Sequence, residues 1–140
     1  MAAAGYSLTP LAKKLGLKPG FLVKFINPPD YYWTLFTNIP DDLISENDTS
    51  VKKNFIHCFF TAAKDLFENL PHIRQELLED GMIWVSWYKS SSGIKTDITE
   101  DVVRDFALKI GLVDIKVCAI DEKWSGLKLV IPVKDRLKKL

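Results

Sequence analysis

Three short stretches concentrate the side chains able to do chemistry. Trp87-Tyr88-Lys89, with Asp97 further along, puts two rings, an ammonium and a carboxylate into one segment. Asp121-Glu122-Lys123-Trp124-Ser125 repeats that mixture, with Lys128 shortly after it, and Asn27-Pro28-Pro29-Asp30 forms a stiff polar turn. Rings of this kind make stacking or apolar walls, lysines contact anions, and carboxylates accept hydrogen bonds. The competing reading is structural: the tryptophans cap a core, Asp97 caps a helix, and Asp121, Ser125 and Gly126 are turn chemistry. Lys128 alternates with Leu127 and Leu129, as on a solvated strand face.

Covalent catalysis asks for more, because a nucleophile needs a base within hydrogen-bond reach. His57 is embedded in the apolar run Phe55 to Phe60 and is expected to be a hydrogen-bonded core or sheet-edge histidine, whereas His72 follows Pro71 and is expected at the surface. Ser86 and Ser125 lack a G-x-S-x-G setting. The adjacent acids Asp41-Asp42, Glu79-Asp80 and Asp121-Glu122 are ordinary at loops and helix ends. Cys58 and Cys118 lie in apolar runs without ligand or redox spacing, and no P-loop or H-E-x-x-H occurs, so no metal site is expected. The sequence thus names no catalytic set. Its candidate ligand contacts are Asn27, Trp87, Tyr88, Lys89, Asp97, Asp121, Glu122, Trp124, Ser125 and Lys128.

These residues must be positioned by regular elements. Thr9, Pro10 and Gly16 bracket a short helix, as N-cap, first helical residue and stop. Phe21 to Ile26 is strand-like, and Leu43 to Ser45 suits a short buried strand. The continuous apolar runs Phe55 to Phe60 and Met82 to Trp87 have the length and composition of strands covered on both faces. Between them, Leu66, Phe67, Leu70, Ile73, Leu77 and Leu78 recur at helical spacing. This predicts a helix from Thr61 to Asp80, kinked at Pro71 and stopped by Gly81. Asp97 to Glu100 reads as a capping box for a helix through Ile98, Val102, Val103, Phe106 and Ile110 that ends at Gly111. Val113 to Ile120 and Leu127 to Val133, joined by too short a link for a crossover, predict an antiparallel hairpin. The expected fold is α/β: a mainly parallel, Rossmann-like sheet with helices on both faces and a C-terminal antiparallel β-hairpin.

The 140 residues suit one domain, with residues 1–17 as a helical arm, 18–133 as the core and 134–140 as a basic tail. Hydrophobic residues at 47% and charged residues at 26% are ordinary globular composition. A net charge of +1 gives no general reason to bind nucleic acid or a membrane. The segment Leu11 to Leu17 is followed by a strand rather than by a second helix, which disfavours helix-turn-helix DNA binding. Neither a leader nor a membrane-length apolar run is read, so a cytoplasmic protein is expected. In an open α/β sheet, ligands bind beyond the carboxyl ends of the parallel strands. That rule gathers the Asn27, Trp87 and Asp121 segments onto one rim.

A sheet of this order ending in a hairpin resembles the class I methyltransferase architecture, and Leu77-Leu78-Glu79-Asp80-Gly81-Met82-Ile83-Trp84-Val85 resembles that family's passage into its fifth strand. Gly5-Tyr6-Ser7-x-Thr9-Pro10-Leu11-x-Lys13-Lys14-Leu15-Gly16 and Val117-Cys118-Ala119-x-Asp121-Glu122-x-Trp124-Ser125-Gly126-Leu127-Lys128 are similar to the opening and closing patterns of a family of small bacterial proteins of unknown function. That second resemblance implies no activity. The first implies a glycine-rich turn after the first strand, where only glycine lets the backbone close on a cofactor. Asn27-Pro28-Pro29 stands there instead, so neither S-adenosylmethionine nor a dinucleotide is expected. The sequence favours a non-catalytic or regulatory domain binding a small anionic ligand or a protein. A small-molecule transferase with a reshaped pocket is the alternative.

Overall fold

The continuous apolar runs do become the centre of the molecule. In a computed structural model, which describes residues 9–137, Lys53–Phe59 (β3) and Leu77–Tyr88 (β4) are the middle strands of a six-stranded sheet. The outer strands are Leu22–Ile26 (β1), Ile44–Ser45 (β2), Val113–Ala119 (β5) and Trp124–Val130 (β6), in the order β2-β1-β3-β4-β6-β5. The β1/β2, β1/β3 and β3/β4 ladders are parallel, whereas β6 is antiparallel to both β4 and β5. The sheet is therefore mixed rather than simply parallel, and the terminal hairpin is the source of its antiparallel ladders.

Alternation along β3 divides the core in two, since successive side chains point to opposite faces. Ile56, Cys58 and Phe60 meet Ala63–Gln75 (α2) and Glu100–Lys109 (α3), through Leu66, Leu70, Ile73, Val103 and Ala107. Phe55 and Phe59 face the opposite way, toward Leu11–Leu15 (α1) and the 3-10 turn Tyr32–Leu35, with Trp84 and Trp124 in the same cluster. Helical elements thus cover both faces. Among the described residues, no helix is long and apolar enough to cross a membrane.

Helix α3 follows its sequence pattern closely. Gly111 ends it at φ 82°, the left-handed region that glycine enters without a Cβ clash. Its cap, however, is Thr99, whose hydroxyl accepts from the Val102 N–H at 3.2 Å. Asp97 instead accepts from the Ala63 N–H at 2.8 Å and so caps α2, a different helix. Helix α1 starts at Leu11, with Pro10 in the cap position and Gly16 left-handed at its end.

The larger correction concerns α2. It begins after Ala62 rather than Thr61 and stops at Gln75, and Leu77 to Asp80 belong to β4. Apolar spacing alone carries the helix pattern through Leu78. The strand wins because the Lys53 N–H donates to the Glu76 carbonyl at 2.8 Å and Leu77 pairs with Lys53. Gly81 is not a helix stop. It lies where the β3/β4 register shifts, and a Cβ there would sit 2.9 Å from the carbonyl oxygens of Lys53 and Asn54. Glycine allows this close approach of two strands. In the hairpin, Trp124, Ser125 and Gly126 likewise belong to β6 rather than to the turn, because they pair with Tyr88, Trp87 and Ser86 of β4.

Candidate functional site

Strand order places the site. From β1 the chain passes outward to β2 and then returns to β3 on the other side of β1, so the loops after β1 and β3 diverge and leave a crevice at their carboxyl ends. A cleft of about 600 Å³ occupies this position. Its floor is Ile26, Phe59 and Phe60, one wall is Asn27, Pro29 and Tyr31, and the opposite wall is Tyr88 and Trp124. Asp30, Asp65 and Lys123 add two carboxylates and one ammonium.

The rim is braced from within. Asp121 accepts from the Lys123 and Trp124 amides at 2.8 and 2.7 Å, which folds the β5–β6 turn, and from the Tyr31 hydroxyl at 2.7 Å. Burial and the Asp121 carboxylate together push the Tyr31 hydroxyl up to about 12, so it stays protonated and serves as a donor. Tyr88 stacks on Trp124 with ring centroids 4.2 Å apart, and Trp124 meets Phe59 edge-on at 5.0 Å. One apolar wall is thereby locked to the core.

Asn27 has φ 55°, the left-handed conformation that glycine would supply in a phosphate-binding turn. Asparagine tolerates this region better than most residues. Asn27→Gly is therefore expected to leave stability within about 0.5 kcal/mol, whereas the β-branched Asn27→Val should cost about 1–2 kcal/mol. Urea midpoints of the two variants check this, and equal midpoints would mean the turn carries no strain. The backbone path of a glycine turn is retained, yet Pro28 and Pro29 offer no N–H to a ligand. The loop does not fit a cofactor that needs an amide cradle.

The remaining sequence candidates divide by location. Trp87, Tyr88, Lys89 and Ser125 line a second cleft of about 650 Å³, together with the Ser90 to Thr96 loop and the start of α3. Tyr88 and Ile94 border both clefts. Asp97 lines neither; its carboxylate is on the α2 amide, and nearby the Thr96 hydroxyl bonds the Thr61 carbonyl at 2.8 Å. Glu122 is exposed on the hairpin turn beside Tyr31 and Leu35. Lys128 lies in mid-strand opposite Trp84 and so is set back from the rim.

One constellation was not read from the sequence. The Tyr32 hydroxyl lies 2.8 Å from His57 Nδ1, and His57 Nε2 lies 2.8 Å from Ser86 Oγ. All three residues are 0% exposed, and none lines a cleft. His57 and Ser86 are the polar interruptions in two adjacent apolar strands, a signal available in the sequence; Tyr32 gave none. The arrangement has the connectivity of a base and nucleophile without access for a substrate, so it acts as a core polar network.

The architecture is methyltransferase-like, and solved structures show it directly. A putative methyltransferase from Thermoplasma acidophilum superposes with TM-score 0.57 at 6% identity, covering 96% of this chain and 79% of that one. A SAM-dependent methyltransferase from Aquifex aeolicus gives 0.55 at 13% identity, covering 86% and 87%. Magnesium protoporphyrin IX methyltransferase from Synechocystis PCC 6803 with bound SAM gives 0.54 at 11%, covering 86% and 74%. Identity this low establishes shared fold alone. No curated protein matches the chain. Residues 12–133 match the model of a family described as a protein of unknown function (DUF3052), and the chain belongs to that family.

Proposed function

We propose that this protein is a small-molecule-binding domain on a methyltransferase-like scaffold, without transfer chemistry of its own. The observation that carries the reading is the switch-point cleft. It keeps the position, the aromatic wall and the left-handed turn of a ligand site, while the hydrogen-bonded pair of His57 and Ser86 is sealed in the core. The exposed carboxylates of Asp30 and Asp65 outnumber Lys123 at this cleft, which favours a flat neutral or cationic ligand over the anion suggested by the sequence. A transferase with a reshaped pocket is the second reading, supported by the left-handed Asn27 and by relatives of the same fold, one of them with bound SAM.

Thermal shift with adenosine, S-adenosylmethionine and S-adenosylhomocysteine tests both. A ligand at 100 times its Kd stabilises the native state by about 2.7 kcal/mol, a shift of roughly 9 °C at this chain length. Stabilisation without turnover, weakened for the cationic ligand by Asp30→Asn with Asp65→Asn, is the expected result. Transfer of the methyl group of S-adenosylmethionine to an added small-molecule acceptor, with release of S-adenosylhomocysteine, would establish the transferase reading instead. Stabilisation by anions at this cleft would overturn the charge argument.

A further inference from the structure

Lys128, displaced from the rim, has a different neighbourhood. It sits directly opposite Lys116 in the β5/β6 ladder. Facing residues on one side of an antiparallel pair have Cβ atoms about 4.5–5.5 Å apart, and like charges there are destabilising. Lys18 approaches the same surface. It follows α1, which is fixed to the sheet by the Trp84 Nε1–H bond to the Leu15 carbonyl at 2.8 Å and by Lys14 Nζ on the Ala119 carbonyl at 3.1 Å. Burial, then the charges of Lys116 and Lys18, push the Lys128 ammonium below its ordinary value.

The acid that would relieve this crowding is turned away. Asp114 is the carboxylate on β5, but the register shift between Asp114 and Lys116 puts it opposite Leu129, on the α3 side of the sheet. There it receives the Arg104 guanidinium at 3.0 Å. Among the described residues, none of Lys18, Lys116 and Lys128 has an ion-pair partner.

From this juxtaposition we infer that Lys116 and Lys128, facing each other across β5 and β6, form a binding site for a phosphate-type dianion, separate from the switch-point cleft. A compact doubly charged oxyanion between two facing ammonium groups converts their repulsion into attraction to a shared partner, and lysine suits it as a point-charge donor. The shared chemistry is the phosphate group, whether free or esterified to a small molecule. This inference uses none of the cleft residues, so it stands or falls independently of the reading above.

Calorimetric titration with inorganic phosphate, pyrophosphate and glycerol phosphate, at an ionic strength matched with sodium chloride, is the test. The wild-type protein should bind at least one of them, and Lys116→Gln with Lys128→Gln should weaken binding tenfold or more. Lys64→Gln, which removes an exposed charge on α2, should leave it unchanged. Without phosphate the double variant should be as stable as the wild type or more so, because a like-charge pair has been removed, and this shows that lost binding is not lost folding. Tighter binding of the ester than of free phosphate assigns the site to a phosphorylated small molecule, and the reverse assigns it to free phosphate. Binding undiminished in the double variant, or no binding of any of the three, overturns the proposal. Tighter binding of duplex DNA than of every small anion overturns it too, by showing an extended polyanion surface.

Discussion

Glu76→Ala is expected to lower the stability of the fold by about 3–5 kcal/mol, the cost of leaving a buried charge without its partner. Lys53 Nζ and Lys24 Nζ each lie 2.8 Å from Glu76 Oε1, and Lys53 is 0% exposed. Without the carboxylate, the Lys53 ammonium keeps only the Asp48 carbonyl at 2.6 Å. Lys24 is closer to solvent and can turn outward, so the penalty falls on Lys53. Glu76→Gln should cost less than alanine, because it retains an acceptor while losing the charge. Lys53→Met added to Glu76→Ala should recover part of the loss, since the stranded ammonium is then gone. Acid should weaken the wild type through the same group. Burial raises the Glu76 carboxyl, but the hydrogen bonds and charges of Lys24 and Lys53 outweigh it and hold the group below the ordinary 4.5. Its contribution is present above 4.5 and is lost as the pH falls through the lower folded value. Urea unfolding at pH 7 and near pH 3 measures both effects, and an alanine variant as stable as wild type at pH 7 would show that the cluster is inert.

The same residues show which parts of the fold could be read from the chain. Strands β3 and β4 were legible because burial on both faces writes an uninterrupted apolar run, and α3 because its cap, apolar face and terminal glycine are all local. The end of α2 was not. Leu77 and Leu78 continue the helical spacing, and what stops the helix is tertiary: the backbone bond from Lys53 to Glu76 and the close strand approach at Gly81. Lys53, 23 positions before Glu76 in sequence, decides whether the chain beyond Glu76 is helix or strand.

The site was legible to the same degree and for the same reason. The switch-point rule depends only on strand order, so it placed Asn27, Tyr88 and Trp124 around one cleft without knowledge of contacts. Which polar groups serve that cleft depends on register, and register is invisible locally. Lys128 and Asp97 have the chemistry of ligand contacts, but one is set in mid-strand and the other is engaged by a helix end. Asp30 and Asp65, unremarkable in sequence, give the cleft its charge because a loop and a helix surface converge on it.

Acidification should act most strongly through His57. Its ring is 0% exposed, stacked on Phe59 with centroids 4.3 Å apart, and burial drives its pKa down to about 3 from the ordinary 6.5. Burial raises the Tyr32 hydroxyl far above its ordinary value, so it stays protonated, and either neutral tautomer of His57 satisfies both bonds because each hydroxyl can donate or accept. Among the described residues, no carboxylate bonds the ring to compensate an added proton. Because the folded value is depressed, the stability tied to neutral His57 is fully present above pH 6.5 and is lost progressively as the pH falls toward 3. The full gap is worth on the order of 5 kcal/mol, comparable to the whole stability of a marginal domain. Between pH 6 and pH 4 the wild-type unfolding free energy should therefore fall by about 1.4 kcal/mol per pH unit more steeply than that of His57→Gln, one proton's worth of linkage. His72→Gln, at an exposed position, controls for the mere loss of a histidine. Parallel curves for wild type and His57→Gln would show that the ring is not held neutral. The imidazole carbon chemical shift of His57 in the intact protein, followed over the same range, gives an answer even if the variant fails to fold. A ring that charges near 6.5 would mean that solvent reaches the Tyr32–His57–Ser86 network, and Ser86 would then become a candidate nucleophile.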